Sequence, residues 1–129
     1  MIGYVMLGTN DPARAKAFYD PIMAQLGAKF FPGYSSDKLT FYATTPDQPM
    51  FGIGRPYDGA PATFGNGTMV SLAAPTRAAI DAIHALALAG GGKDEGAPGI
   101  RGSDPNGFYA AYFRDPDGNK LCAFRIGPP

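Results

Sequence analysis

This chain has little cysteine, little histidine and no excess charge of either sign. Cys122 is the only cysteine and His84 the only histidine among 129 residues. A lone thiol excludes an internal disulfide framework and fits a reducing compartment, so the expected location is cytoplasmic. Lysine plus arginine and aspartate plus glutamate number 11 each. That balance argues against a basic nucleic-acid groove or a patch built for an anionic membrane, and neither partner is expected. No basic start leads into a long apolar run, so neither a leader peptide nor a membrane span is expected. Turn formers, in contrast, are abundant: 18 glycines and 13 prolines imply short elements joined by frequent turns. With 45% hydrophobic and 17% charged residues, the chain reads as one globular domain, 1–129, with its own core.

The chain reads as one pattern written twice. "MIGYVMLGT" is a strand, and "NDPARAKAFYDPIMAQLG" a helix that Asn10 or Asp11 can cap and Pro12 can open. Ala15, Phe18, Ile22 and Leu26 recur at helical spacing, Pro21 is expected to kink or divide the helix, and Gly27 to end it. Strands are expected in "AKFFPGY", "KLTFYATT" and "PMFGIGR". The second half repeats the order. "TMVSLAA" is a strand and "PTRAAIDAIHALALAGGG" a helix starting near Pro75, followed by a weak strand within Lys93 to Arg101. "GFYAAYFR" and "NKLCAFRI" then form a hairpin across "DPDG". "Phe-Tyr-Ala" at 41–43 recurs at 108–110, and "PDQPMFGIGR" aligns without a gap with "PDGNKLCAFR", matching Gly52 to Cys122 and Arg55 to Arg125. The reading is α+β: two βαβββ repeats, about 1–56 and 67–129, whose curved mixed sheets carry helices on their outer faces. A sheet with helices on one face leaves the other face to be covered by a partner or curved around a ligand. Two such sheets, from one chain or from two, would close a cleft.

Side-chain alternation divides each strand between two faces. Val5, Leu7, Val70 and Leu72 fall on the helix side. Tyr4, Met6 and Gly8, Met69, Ser71 and Ala73, Gly52 and Gly54, and Cys122 and Phe124 fall on the cleft side. None of the cleft set is formally charged, and the glycines are expected to leave volume. Such a lining suits an apolar or aromatic ligand held by a few polar contacts, or else it simply fills a core. Arg55 and Arg125 end matched strands, where they either hold an anionic group at the mouth or are merely solvated. Tyr109 and Tyr112 line the cleft or a dimer seam. His84 lies mid-helix, at the helix edge and away from the cleft, and Asp115 and Asp117 read as turn residues that bond the local backbone. Cys122 reads as a small buried hydrophobe with a normal or raised pKa, with no lysine or arginine facing it; the alternative is a reactive thiol.

The series "IGYVMLGTNDPARAKAFYDPIMAQLGA", "APTRAAIDAIHALALAGGG" and "FYAAYFRDPDGNKLCAF" resembles the vicinal oxygen chelate superfamily over nearly the whole chain. That superfamily includes glyoxalase I, bleomycin-resistance proteins, extradiol dioxygenases and fosfomycin-resistance enzymes. The resemblance implies a cleft where histidine and glutamate, from the first and last strand of each repeat, hold a divalent metal as Lewis acid. Carried onto this chain, those positions fall on Tyr4, Gly52, Met69 and Cys122. Glycine offers no ligand, and methionine and cysteine suit a soft ion rather than magnesium, manganese or nickel. No metal and no cofactor are therefore expected. The function expected is a homodimeric small-molecule-binding protein of the bleomycin-sequestering kind. The alternatives are a glyoxalase-like lyase or isomerase, or a dioxygenase relative, with an atypical site, and a structural or regulatory dimer.

Overall fold

The computed structural model describes residues 1–129. Strand β1 (Tyr4–Gly8) leads into helix α1 (Pro12–Gln25), followed by β2 (Lys29–Phe30), β3 (Leu39–Ala43) and β4 (Met50–Gly54). After the linker come β5 (Val70–Ala73), α2 (Arg77–Ala89), β6 (Lys93–Arg101), β7 (Phe108–Arg114) and β8 (Lys120–Ile126). The strands form two four-stranded mixed sheets, ordered β1-β4-β3-β2 and β5-β8-β7-β6, with β1 parallel to β4 and β5 parallel to β8. The two βαβββ units read from the sequence are therefore the units of the fold.

Local chemistry sets the helix ends. Asp11 caps α1 by accepting from the Arg14 amide at 3.0 Å, and Pro12 takes the first turn, where its missing N–H is no loss. Thr76 caps α2 through the Ala79 amide at 3.0 Å. Gly27 follows α1 with φ +71°, a conformation that favours glycine. Helix α1 runs through Pro21 without interruption because that residue lies on the solvent side, where the carbonyl it leaves unpaired can meet water.

Two other expectations give way, and one is exceeded. The strand at "AKFFPGY" shrinks to Lys29–Phe30, since Pro32 cannot donate to a ladder and opens a short 3₁₀ turn, Pro32–Tyr34. The weak strand at Lys93 to Arg101 is a full nine residues. It is an edge strand, and its register breaks between Asp94 and Gly96 and again between Gly96 and Gly99, which absorbs its glycines and Pro98. The Phe-Tyr-Ala match is out of register: Gly52 faces Phe41 and Cys122 faces Tyr112, so Phe41 corresponds to Tyr112 rather than to Phe108.

One core serves both halves. Helices α1 and α2 pack against each other, and a continuous cluster joins Phe18, Tyr19 and Ile22 of α1 to Ile80 and Ile83 of α2 and to Phe113 and Leu121 of the second sheet. Phe18 and Phe113 place their ring centroids 6.4 Å apart across the seam. Each fully buried aliphatic side chain contributes about 1.5–3 kcal/mol, so the helix-covered faces hold the fold. Val5, Leu7, Val70 and Leu72 lie on this side. The opposite face of each sheet is uncovered: Tyr4 is 62% exposed, Met6 43% and Met69 42%.

Candidate functional site

On the first sheet, β1 presents Tyr4 and Met6, β4 presents Met50, Gly52 and Gly54, and β3 presents Leu39 and Phe41. Tyr4 meets Phe41 edge-on at 5.6 Å and 82°, and Tyr34 from the 3₁₀ turn meets the same ring at 6.2 Å and 72°. A cavity of about 830 Å³ opens here, lined by residues of the first half alone, with Asp47 and Gln48 at its rim. Phe41 and Tyr34 were not read from the sequence as site residues. Phe41 could have been found by counting cross-strand from Gly52, but the out-of-register Phe-Tyr-Ala match pointed elsewhere.

The glycines do not leave the volume expected of them. A Cβ at Gly52 would meet the Met6 sulfur and lie 2.8 Å from the Phe41 ring; one at Gly54 would lie 2.7 Å from the Lys38 carbonyl. Both positions are glycine because neighbours already fill the space. Arg55 follows β4 on the surface and, with Met6 and Leu39, borders a second hollow of about 780 Å³ beside the linker.

The second sheet's open face carries Met69, Ser71, Cys122 and Phe124, and around them a set of polar groups. Cys122 is 1% exposed and stands between its ladder partners Ser71 on β5 and Tyr112 on β7. Burial pushes its thiol above the usual range; the neighbouring Ser71 and Tyr112 side chains and the charges of Arg101 and Lys120 pull the other way and do not offset it. Two expectations are corrected here: Arg101 and Lys120 do lie near Cys122, and this face is charged. Lys120 was legible, two residues before Cys122 on the same strand face. Arg101 was not, because the β6 bulges break the alternation.

Other singled-out residues turn toward the helices or the seam. Arg125 donates to the Pro75 carbonyl at 2.8 Å and so ties β8 to the approach of α2. Tyr109 donates to Asp81 on α2 at 2.6 Å, whereas Tyr112 takes the open face. His84 is buried rather than at a helix edge, and its Nε2 lies 2.9 Å from Asp94 on the helix side of β6.

Asp115 and Asp117 do more than close their turn. Asp115 accepts from the backbone of Asp117 and Asn119 and, buried, from Tyr19 Oη at 2.6 Å. Burial raises its pKa, while the hydrogen bonds from Tyr19 and Asn119 act in the lowering direction. Asp117 accepts from Thr9 Oγ1 at 2.6 Å and pairs with Arg14 at 2.9 Å, and Asn119 donates to the Gly8 carbonyl at 2.9 Å. The β7–β8 turn is thus bolted to the end of β1 and the start of α1.

The residues at the expected metal positions do not fit a hard divalent ion. Tyr4 and Gly52 sit on one sheet and Cys122 on the other, with Met69 just ahead of its strand β5. Gly52 has no side chain and is closely faced by Met6 and Phe41, Cys122 is buried, and no three His, Cys, Asp or Glu side chains converge anywhere in the fold.

The chain matches the sequence model of the Glyoxalase/Bleomycin resistance protein/Dioxygenase superfamily over residues 1–123. A glyoxalase/bleomycin resistance protein from Albidiferax ferrireducens T118 is 42% identical, covers 96% of this chain and 97% of its own, and superposes with a TM-score of 0.82. A glyoxalase/bleomycin resistance protein/dioxygenase family enzyme from Burkholderia phytofirmans PsJN is 19% identical, with 96% and 97% coverage and a TM-score of 0.71. A glyoxalase-related enzyme from Fulvimarina pelagi is 16% identical, with 96% and 86% coverage and a TM-score of 0.69. The latter two show likeness of fold alone. No curated protein is similar to this chain, and no helix is long and apolar enough to cross a membrane. With a family match across nearly its full length and a close structural relative, this chain belongs to the glyoxalase/bleomycin resistance protein/dioxygenase superfamily.

Proposed function

We propose that the protein binds a small, partly apolar molecule on its uncovered sheet faces and does so without a metal and without transforming it. The observation that carries this reading is the first sheet's aromatic and methionine-lined cavity of about 830 Å³, with Gly52 so closely faced by Met6 and Phe41 that a ligating side chain there would have to displace them. Methionine adapts to irregular partners, and the exposed Tyr4 adds a hydroxyl to an apolar wall. The reading includes a cytoplasmic homodimer in which a second copy meets the faces that one chain leaves open.

The test is elemental analysis of the purified protein, followed by a thermal-shift screen against divalent metals and small aromatic compounds. The expected outcome is no stoichiometric metal, no stabilisation by nickel, zinc or manganese, and a rise in Tm with aromatic ligands. A tightly bound stoichiometric metal, or turnover of the hemithioacetal of methylglyoxal and glutathione on adding nickel or zinc, would replace this reading with a lyase.

A further inference from the structure

The second sheet's open face holds two positive charges that the rest of the fold does not neutralise. The Arg101 guanidinium and the Lys120 ammonium both lie over the Tyr112 ring, 5.3 Å and 6.0 Å from its centroid. The chain's ion pairs join Arg14 to Asp117, Lys16 to Asp20, His84 to Asp94 and Arg114 to Glu95. Glu95 is the acid whose charge Lys120 feels, yet that carboxylate is bound to Arg114 at 2.7 Å.

Arg101 is held in place as well as charged. It donates to the carbonyls of Gly99 at 3.2 Å and Ala97 at 2.7 Å, within the bulged part of β6. Five N–H donors are available to a guanidinium, so donors remain after these two bonds. Ser71 and Tyr112 flank Cys122 in the ladder on this same face. Further along β8, Phe124 stacks on Phe108 with centroids 5.3 Å apart and planes 19° from parallel, forming a flat apolar wall. Cys122 and Phe124 share this face in the rows of Tyr112 and Ala110, so the wall lies about 7 Å from the Tyr112 row at the ordinary rise of a strand. That spacing is about the length of one aromatic ring with an acidic substituent.

We propose that this face takes the anionic end of the ligand: Arg101 and Lys120, over Tyr112, hold the carboxylate of a small aromatic acid whose ring lies against Phe124. This rests on the reading of the open faces as ligand-binding, and it names the chemical class they select.

The test is isothermal titration of the full chain with benzoate and with benzamide, its neutral isostere. Wild-type protein is expected to bind benzoate about tenfold more tightly than benzamide, with the difference shrinking as salt rises. Lys120→Met removes a half-exposed side chain that makes no hydrogen bond in the fold, and it is expected to lose about tenfold in benzoate affinity while leaving benzamide unchanged. Arg101→Gln is the companion variant, accepted only where circular dichroism shows that the β6 bulge survives. Equal binding of benzoate and benzamide would overturn this inference while leaving small-molecule binding intact; binding of neither would remove both. Undiminished benzoate affinity in Lys120→Met would also overturn it. A changed oligomeric state in that variant, without any preference for benzoate, would overturn it in favour of a second copy of the chain covering this face.

Discussion

Replacing Tyr19 by phenylalanine removes one oxygen from the centre of the seam between the two halves. Tyr19 is fully buried, and its hydroxyl donates to Asp115 at 2.6 Å, across the boundary between α1 and the β7–β8 turn. The carboxylate keeps its other donors, the amides of Asp117 and Asn119 and the Asn119 side chain, so it is not stranded. The expected cost is that of one buried hydrogen bond to a charged acceptor, about 2 kcal/mol. For a chain of this length that lowers Tm by about 7 °C. Tyr42 provides the control: its hydroxyl donates at 2.6 Å to Asp20, a half-exposed acid already paired with Lys16, so Tyr42→Phe should cost about 1 kcal/mol or less.

The effect of Tyr19→Phe should also depend on pH, with a sign that follows from linkage. Burial raises the folded-state pKa of Asp115 above the ordinary 3.8. The native state therefore holds this proton more tightly than the unfolded chain does, and the associated stability is present below the unfolded pKa and lost as pH rises through the folded one. The Tyr19 hydrogen bond limits that rise. Without it the folded pKa climbs further, so the loss on raising pH is larger in the variant, and the gap between variant and parent grows from pH 4 to pH 7. Urea unfolding followed by circular dichroism across this range measures it. A cost below about 0.5 kcal/mol at pH 7, or a cost independent of pH, would refute the view that this bond clamps the halves. An altered m-value would indicate instead that the halves had become uncoupled.

Two further outcomes are expected. Gly52→Glu, which restores the superfamily's kind of ligand at its last-strand position, should destabilise by about 1–3 kcal/mol because Phe41 and Met6 occupy the space, and the variant should still carry no metal by elemental analysis. Cys122 should react with a thiol reagent at pH 8 about tenfold or more slowly in the folded protein than in urea, since its thiol is buried and its pKa raised; equal rates would show that this face opens freely.

The division of each strand between helix side and open side was legible because it rests on a period of two, and Val5, Leu7, Val70 and Leu72 hold to it. The hairpin across Asp115–Gly118 was legible from its turn residues. What those acids do was not: their partners Tyr19, Thr9 and Arg14 lie about a hundred residues away, and a turn motif speaks only for its neighbours. Arg101 was hidden by two bulges, each of which resets the alternation that a reader counts along. The glycines misled in the opposite direction. Absence of a side chain suggested empty space, whereas at Gly52 and Gly54 it marks places where other groups have closed in.

The two halves place different chemistry at equivalent positions. In the ladders, Gly52 stands between Met6 and Phe41, and Cys122 between Ser71 and Tyr112. The first set is apolar and closes over the glycine. The second is polar and lies beside two cations. A glutamate at position 122, where the family resemblance places a ligand, would bring a carboxyl group into the face beside Arg101 and Lys120 to pair with them from within. The thiol cannot do this: burial holds its pKa up, so it stays uncharged at neutral pH and leaves both cations to be met from outside. In the proposed reading the residue at position 122 matters through its lack of charge, because an uncharged thiol leaves Arg101 and Lys120 to be met by an anion from outside.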